Sequence, residues 1–430
     1  MILTKEHLNY SRIQIILVCL IPLGLIFSRF FADFFLVLVC LTFLIQSYSK
    51  KNNYFNNYFF KVFLLFWTII TLKSFFSEDI FFSLKSSLPY VRFGIFSLAI
   101  YYLFSINQKY FYYFYLSLSF CLIILVFDGY FQYFVGENVF GYPITTNPYN
   151  EDIRLSGFFR EELILGSFIS RIFPFYLGLY FFCESKNLIK KRDLLMFVFL
   201  LSSLILVLLS GERVAFAYIS LSFFISLYFF KLPIKKFTSK IFFGLAILMF
   251  IIVSNKDVKN RFIETTFSQI GITQSALEKT DQGEKYIFSI HHHNHIIAAY
   301  KIFKENMIFG SGVKMFRKIC DKRYKINAFS CSTHPHNTAM QFLSETGIIG
   351  IIFYFACLIY ILKSFLKNLK ITIKDINNSL VKSKTFFLVA LIIPLVPVLP
   401  SGNFFNNWLS IIAYFPVGFY LITKKENNEF

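Results

Sequence analysis

The sequence predicts an all-α polytopic membrane protein of about twelve transmembrane helices, with a large extracytoplasmic loop between helices 9 and 10. Three observations predict it. Of 430 residues 56% are apolar and only 16% are charged, too little charge for a water-soluble domain. Apolar runs near the ~20 residues that span a ~30 Å bilayer core recur along the chain. Lysine and arginine collect in alternate connecting segments, as the positive-inside rule requires.

The apolar runs fall at 13–27, 30–46, 59–75, 88–104, 110–127, 163–182, 194–209, 214–230, 241–253, 348–366, 386–399 and 404–422. With the N-terminus inside, the cytoplasmic segments carry Lys50 and Lys51, then Lys186, Lys190, Lys191 and Arg192, then Lys231, Lys235, Lys236 and Lys240. A further one carries Lys363, Lys367, Lys370, Lys374, Lys382 and Lys384. Both termini are then cytoplasmic. No small-residue cleavage site follows the first apolar run, which reads as a retained helix. The formal charge of +19 therefore reflects membrane orientation and does not point to nucleic acid. The 61 Phe are lipid-facing bulk.

This topology divides the chain into transmembrane helices 1–9 within 1–254, which include an outer loop at 128–162, a periplasmic loop at 255–345, and helices 10–12 within 346–430. Both loops are too long and polar for tight turns, so chemistry belongs there. In the larger, Ile296, Ile297, Tyr300, Phe303 and Met307 recur at helical spacing before Gly310-Ser311-Gly312, which suggests an amphipathic helix lying on the membrane. Five of seven cysteines sit in apolar runs as small hydrophobes. Cys320 and Cys331 lie in the outer loop, an oxidising compartment, and a disulfide between them is expected.

The densest polar signal is Cys331-Ser332-Thr333-His334-Pro335-His336-Asn337, followed by Gln341, Glu345, Gly347 and Gly350. Pro335 suits the first position of a helix, with His334 as its cap and His336 in the first turn, where free N–H groups favour phosphate. On a continuous helix, His336, Met340, Leu343 and Gly347 share one face, while Glu345 is turned about 180° from His336. His334, Asn337 and Glu345 are candidate substrate contacts, with helix packing an equal reading for Glu345. Arg213 follows Ser210-Gly211-Glu212 in a short outer turn, and Arg154, Arg160 and Arg171 lie in or beside the first outer loop. Their guanidinium forks suit a diphosphate. His291, His292, His293 and His295 invite a metal reading, but consecutive residues cannot all aim at one ion and no nearby carboxylate set completes a site. No metal is expected.

These segments resemble the O-antigen ligase and O-antigen polymerase superfamily of bacterial membrane glycosyltransferases. The resemblance covers most of the chain. It rests on the twelve-span layout, the large loop before the tenth span, and a His followed about ten residues later by Gly, met by His336 and Gly347. Asp128-Gly129-Tyr130-Phe131-Gln132-Tyr133, Gly157-Phe158-Phe159-Arg160-Glu161-Glu162-Leu163 and Ser210-Gly211-Glu212-Arg213 strengthen it.

The resemblance implies a GT-C-like fold in the inner membrane and transfer of a glycan from undecaprenyl diphosphate at the periplasmic face, with no cofactor. The acceptor is lipid A-core for a ligase, or a second lipid-linked glycan for a polymerase. The family's catalytic His falls on His336 and its essential arginines on Arg213 and Arg160. The reading is ligase with polymerase as the alternative; ligases are described with Leu four positions after this Arg, and Ala217 stands there instead, a departure that speaks for the alternative. A polysaccharide or lipid flippase is the rival of another class, but it calls for internal repeats and midplane charges that the sequence does not show. Cysteine labelling of whole cells should find positions 191, 236 and 370 inside and positions 147 and 279 outside; cytoplasmic labelling at 279 overturns the orientation.

Overall fold

The computed structural model describes residues 5–50, 54–146, 153–230, 232, 237–269, 287–325 and 330–426. Lys51, Asn147, Lys231, Lys235, Lys236 and Lys279 lie outside the described residues. The helices are α1 (Lys5–Phe27), α2 (Arg29–Lys50), α3 (Tyr58–Ser74), α4 (Ile80–Ser87), α5 (Val91–Ile106), α6 (Lys109–Val135), α7 (Leu165–Ser185), α8 (Asp193–Leu209) and α9 (Arg213–Phe229). They continue as α10 (Phe237–Ser254), α11 (Lys256–Lys259), α12 (Thr265–Gln269), α13 (Ile290–Glu305), α14 (Phe316–Ile319), α15 (Thr338–Lys374), α16 (Ser379–Ile392) and α17 (Asn407–Glu426). Two short strands, β1 (Thr145–Thr146) and β2 (Ile153–Arg154), pair antiparallel.

Each of the twelve apolar runs carries an α-helix, but the helices differ in reach. Among the described residues six are long and apolar enough to cross a membrane, or seven if the pair Ile241–Ser254 and Lys256–Ser268, bent by 100°, counts as one span. α8 and α9, of 17 residues each, rise only about 26 Å. The run at 386–399 is helical only in its first half; a 3-10 turn at Ile393–Leu395 ends it, because Pro394 removes a donor that the helix needs. Lys382 and Lys384, read from sequence as loop charges, are buried in α16, where Lys382 Nζ donates to the Phe229 carbonyl at 3.1 Å and so satisfies the end of α9.

The chain forms two compact units. The first comprises Met1–Tyr110, Ile287–Leu369 and Leu391–Phe430, the second Phe111–Tyr286 and Lys370–Ala390. In the first, α5 packs along α17 and α2. There α13 buries His295, Ala298, Ala299, Ile302 and Phe303 and leaves Ile297 and Tyr300 exposed, as is Met307 just beyond its end. The amphipathic face read from the sequence is therefore rotated. The Ala298–Ala299–Ile302 face packs on Met315, Phe316, Ile319 and Cys320, and Cys320 is disulfide-bonded to Cys331.

At 37 residues α15 is longer than a bilayer needs, and Gly347 breaks it with φ 66°, ψ −160°. Asn337, not His334, caps its start: Asn337 Oδ1 accepts from the Met340 N–H at 3.0 Å. His336, at φ 52°, lies outside the helix, so His336 and Gly347 do not share a continuous helical face. The break exists because the segment around Gly310 crosses here. A Cβ on Gly347 meets Ile308 O at 2.4 Å, and one on Gly310 meets Thr346 N at 2.4 Å. Four backbone bonds bridge the crossing: Ser311 N to Ser344 O, Gly312 N to Glu345 O, Ile348 N to Met307 O and Ile349 N to Ile308 O, at 2.8–3.2 Å.

Gly347→Ala should cost on the order of 3 kcal/mol or more, since a clash adds to a left-handed backbone. Gly141→Ala, at φ 80° with open space around it, should cost only about 1 kcal/mol. Thermal unfolding of both purified variants checks this, and equal losses refute the crossing as the cause.

Candidate functional site

In the first unit, Ser289 caps α13 and its hydroxyl also pairs with His292 Nδ1 at 2.8 Å. Positions 292 and 295 are three apart and so share a helix face. The loop before α15 brings His334 and His336 to that face. Ring centroids of His334, His295 and His292 lie 4.0, 5.2 and 5.8 Å from that of His336.

The 394–401 segment holds this loop. Ser401 N–H donates to His336 O at 2.8 Å, and Ser401 O pairs with His334 Nε2 at 3.1 Å. Asn337 Nδ2 donates to Pro397 O at 2.7 Å, and Thr338 Oγ1 pairs with Ser401 Oγ at 2.8 Å. A carbonyl accepts only, so His334 carries its proton on Nε2.

Burial, with like charge from neighbouring rings, keeps these imidazoles neutral. It lowers His295 and His334 to about 4 and pushes His336 further down. His336 Nε2 pairs with Ser332 Oγ at 2.9 Å, while His295, 6% exposed, has no hydrogen-bond partner for Nδ1 among the described residues. The arrangement supplies a proton acceptor that stays unprotonated at neutral pH. Among the described residues no group of three or more His, Cys, Asp or Glu is placed to hold a metal ion.

Glu345 is fully buried. It accepts from Gln341 Nε2 at 3.1 Å and from the Phe316 N–H at 3.4 Å, and Gln341 Nε2 also donates to Asn403 Oδ1 at 2.9 Å. Glu345 thus ties the short helix before Gly347 to the 310–316 segment.

The second unit holds the candidate arginines. Glu212, buried, accepts the Gly166 and Ser167 N–H groups at 2.7 and 3.0 Å, which satisfies the start of α7. Burial raises its carboxyl above the usual range; Arg154 beside it and those N–H groups oppose the rise. Arg154 Nε donates to Ser210 O at 3.3 Å and Arg261 Nε to Gly211 O at 3.2 Å. Arg213 Nη1 donates to Thr266 Oγ1 at 2.8 Å. Arg160 is exposed at φ 60°, 5.8 Å over the Tyr142 ring. Arg171 differs: it is 8% exposed, donates to Ser167 O at 3.0 Å and lies 5.4 Å over Tyr218.

Sequence reasoning set aside His292 and His295, whose i,i+3 spacing was the available signal, and missed Arg261, Lys314, Arg317 and Ser401. Residues 197–355 match a family model described as O-Antigen ligase. The match takes in Arg213, His292, His295, His334, His336, Asn337 and Glu345. No curated protein matches the chain.

Lowered imidazole pKa values set a pH dependence of stability. Below about pH 6.5 the unfolded chain binds protons that folded His295 and His334 refuse down to about 4, so stability should fall as pH drops through that window. Thermal unfolding of wild type and His295→Asn between pH 7.5 and 4.5 tests it. The variant should lose less on acidification, and identical slopes refute a neutral His295.

Proposed function

We propose that this chain, a member of the O-antigen ligase and polymerase superfamily, transfers a glycan from undecaprenyl diphosphate to a sugar hydroxyl of lipid A-core at the periplasmic face of the inner membrane, both termini being cytoplasmic. The observation that carries this reading is the placement of His336, with Nε2 paired to Ser332 and its ring grouped with those of His295 and His334. Polymerase action on a second lipid-linked glycan is the alternative, favoured by Ala217 where ligases carry Leu.

In the proposed reaction the acceptor oxygen attacks the anomeric carbon from the face opposite phosphate, and its proton passes to His336 Nε2 on the side of Ser332. The bond from the anomeric carbon to phosphate breaks, the configuration inverts, and undecaprenyl diphosphate leaves. Arg213 and Arg160 offset the charge that develops on the diphosphate, a kind of contribution on the order of a few kcal/mol each in a water-poor site. Arg154 supports Arg213 from β2, through Ser210 O. Buried Arg171 acts through α7, and His334 and Asn337 hold the base loop against 394–401. No step calls for a metal or another cofactor.

The two roles predict different failures. With a synthetic lipid-linked donor and protein in nanodiscs, His336→Ala should keep donor affinity and lose transfer by roughly 10²- to 10⁴-fold. Arg213→Ala should lose transfer and donor affinity together. Arg213→Lys should recover only part, because an ammonium lacks the bidentate fork. Full turnover by His336→Ala, or a defect traced wholly to donor affinity, overturns the base assignment.

A further inference from the structure

Six basic residues follow one another between 314 and 325, and the structure sorts them into two kinds. The outer four are neutralised. Lys318 pairs with Asp79, Lys322 with Glu78, Arg323 with both Glu78 and Glu305, and Lys325 with Asp321. The inner two, Lys314 and Arg317, make no ion pair among the described residues, although both are half-buried. Arg317 lies 5.9 Å over the Phe82 ring, with Nε buried and without a hydrogen-bond partner among the described residues.

Nearby acids are already committed. Glu345 accepts from Gln341 and the Phe316 N–H, and Asp33 takes Arg92 in a two-point pair at 2.9 and 3.2 Å. Lys314 is held at φ 60° because Gly312 N and Phe316 N, on either side of it, are bonded to Glu345. Met315 and Phe316 pack on the α13 face that continues into His295.

Charges withdrawn from water without a partner are costly, and the cost is removed when an anion enters. A guanidinium fork beside an ammonium is a fitting receptor for phosphate oxygens. We infer that Lys314 and Arg317 form a binding site for a phosphate or diphosphate ester of a glycolipid, within electrostatic reach of His334. Burial, with the charge of Arg317 beside it, pulls the Lys314 ammonium down against the opposing pull of the Glu345 carboxyl, and the charge of Arg317 also acts on His334; a bound dianion opposes the action of Arg317 on both. The site stands on the first unit alone and relies on the proposed transfer only for the identity of the lipid.

Binding without turnover tests it. Full-length protein carrying Arg213→Ala, which removes the donor contact proposed for the second unit, is placed in nanodiscs and titrated with inorganic pyrophosphate by calorimetry. Added Lys314→Gln or Arg317→Gln should weaken binding at least tenfold, and Arg317→Lys less. In the absence of ligand neither Gln variant should lower the unfolding temperature, because each removes an unneutralised charge.

Undecaprenyl diphosphate and lipid A-core, the latter with and without its phosphates, then identify the source. A selective loss of affinity for either one assigns the site to donor or acceptor. Unchanged affinity for all three probes, or a fall in unfolding temperature that Arg317→Lys restores without pyrophosphate, overturns the inference. Failure of His336 as base leaves these binding results untouched.

Discussion

Gly310 and Gly347 meet backbone against backbone, and the first unit is organised around that crossing. No side chain fits between them, since a Cβ on either falls 2.4 Å from main-chain atoms of the other segment. Four hydrogen bonds fix the approach. The helix from Thr338 must end at Gly347, and the span from Ile348 starts in a new direction. The His334–Asn337 loop therefore stands on a short capped helix and not on the end of a long span. The same crossing holds the 310–316 segment against Glu345, which sets Lys314 and Arg317. Both the histidine cluster and the cations depend on a contact that contains no functional group.

Burial has opposite consequences for the titratable groups around this frame. An imidazole withdrawn from water simply stays neutral, so His295, His334 and His336 pack ring against ring at little electrostatic cost. An arginine has no neutral form to retreat to. Arg323, at the surface, has two carboxylates, whereas the more enclosed Arg317 has an aromatic ring and an orphaned Nε. That inversion, with the fuller neutralisation on the wetter side, is the opposite of what stability alone would select. It marks Arg317 as a group whose counter-ion arrives with a ligand.

Hydropathy made the helices legible, and each of the twelve apolar runs carries one, because in lipid the backbone must satisfy itself within the segment. The candidate residues His336 and Arg213 were also visible, through local pattern. What escaped was set by tertiary contact. A continuous apolar run hid the break at Gly347, since a glycine inside a helical pattern does not reveal the segment that crosses it. The adjacent histidines seemed to defeat one another, yet α13 selects positions 292 and 295 and turns them to a loop more than thirty residues away. Lys382 looked like one more loop charge because sequence carries no sign that a helix end needs a donor there.

The Ser210-Gly211-Glu212-Arg213 turn in the second unit shows how little a motif says until its main chain is considered. Gly211 holds a left-handed backbone at φ 74°. Ser210 O and Gly211 O then receive Arg154 and Arg261, while the carboxylate of Glu212 is committed to the first N–H groups of α7. A carboxylate that already accepts two backbone hydrogen bonds offsets only part of the positive charge of Arg154, Arg213 and Arg261. Every backbone group named in the turn is thereby satisfied. Arg171, a turn into α7, buries its guanidinium on Ser167 O and Tyr218. So enclosed, it presents no fork at the Ser210–Arg213 turn.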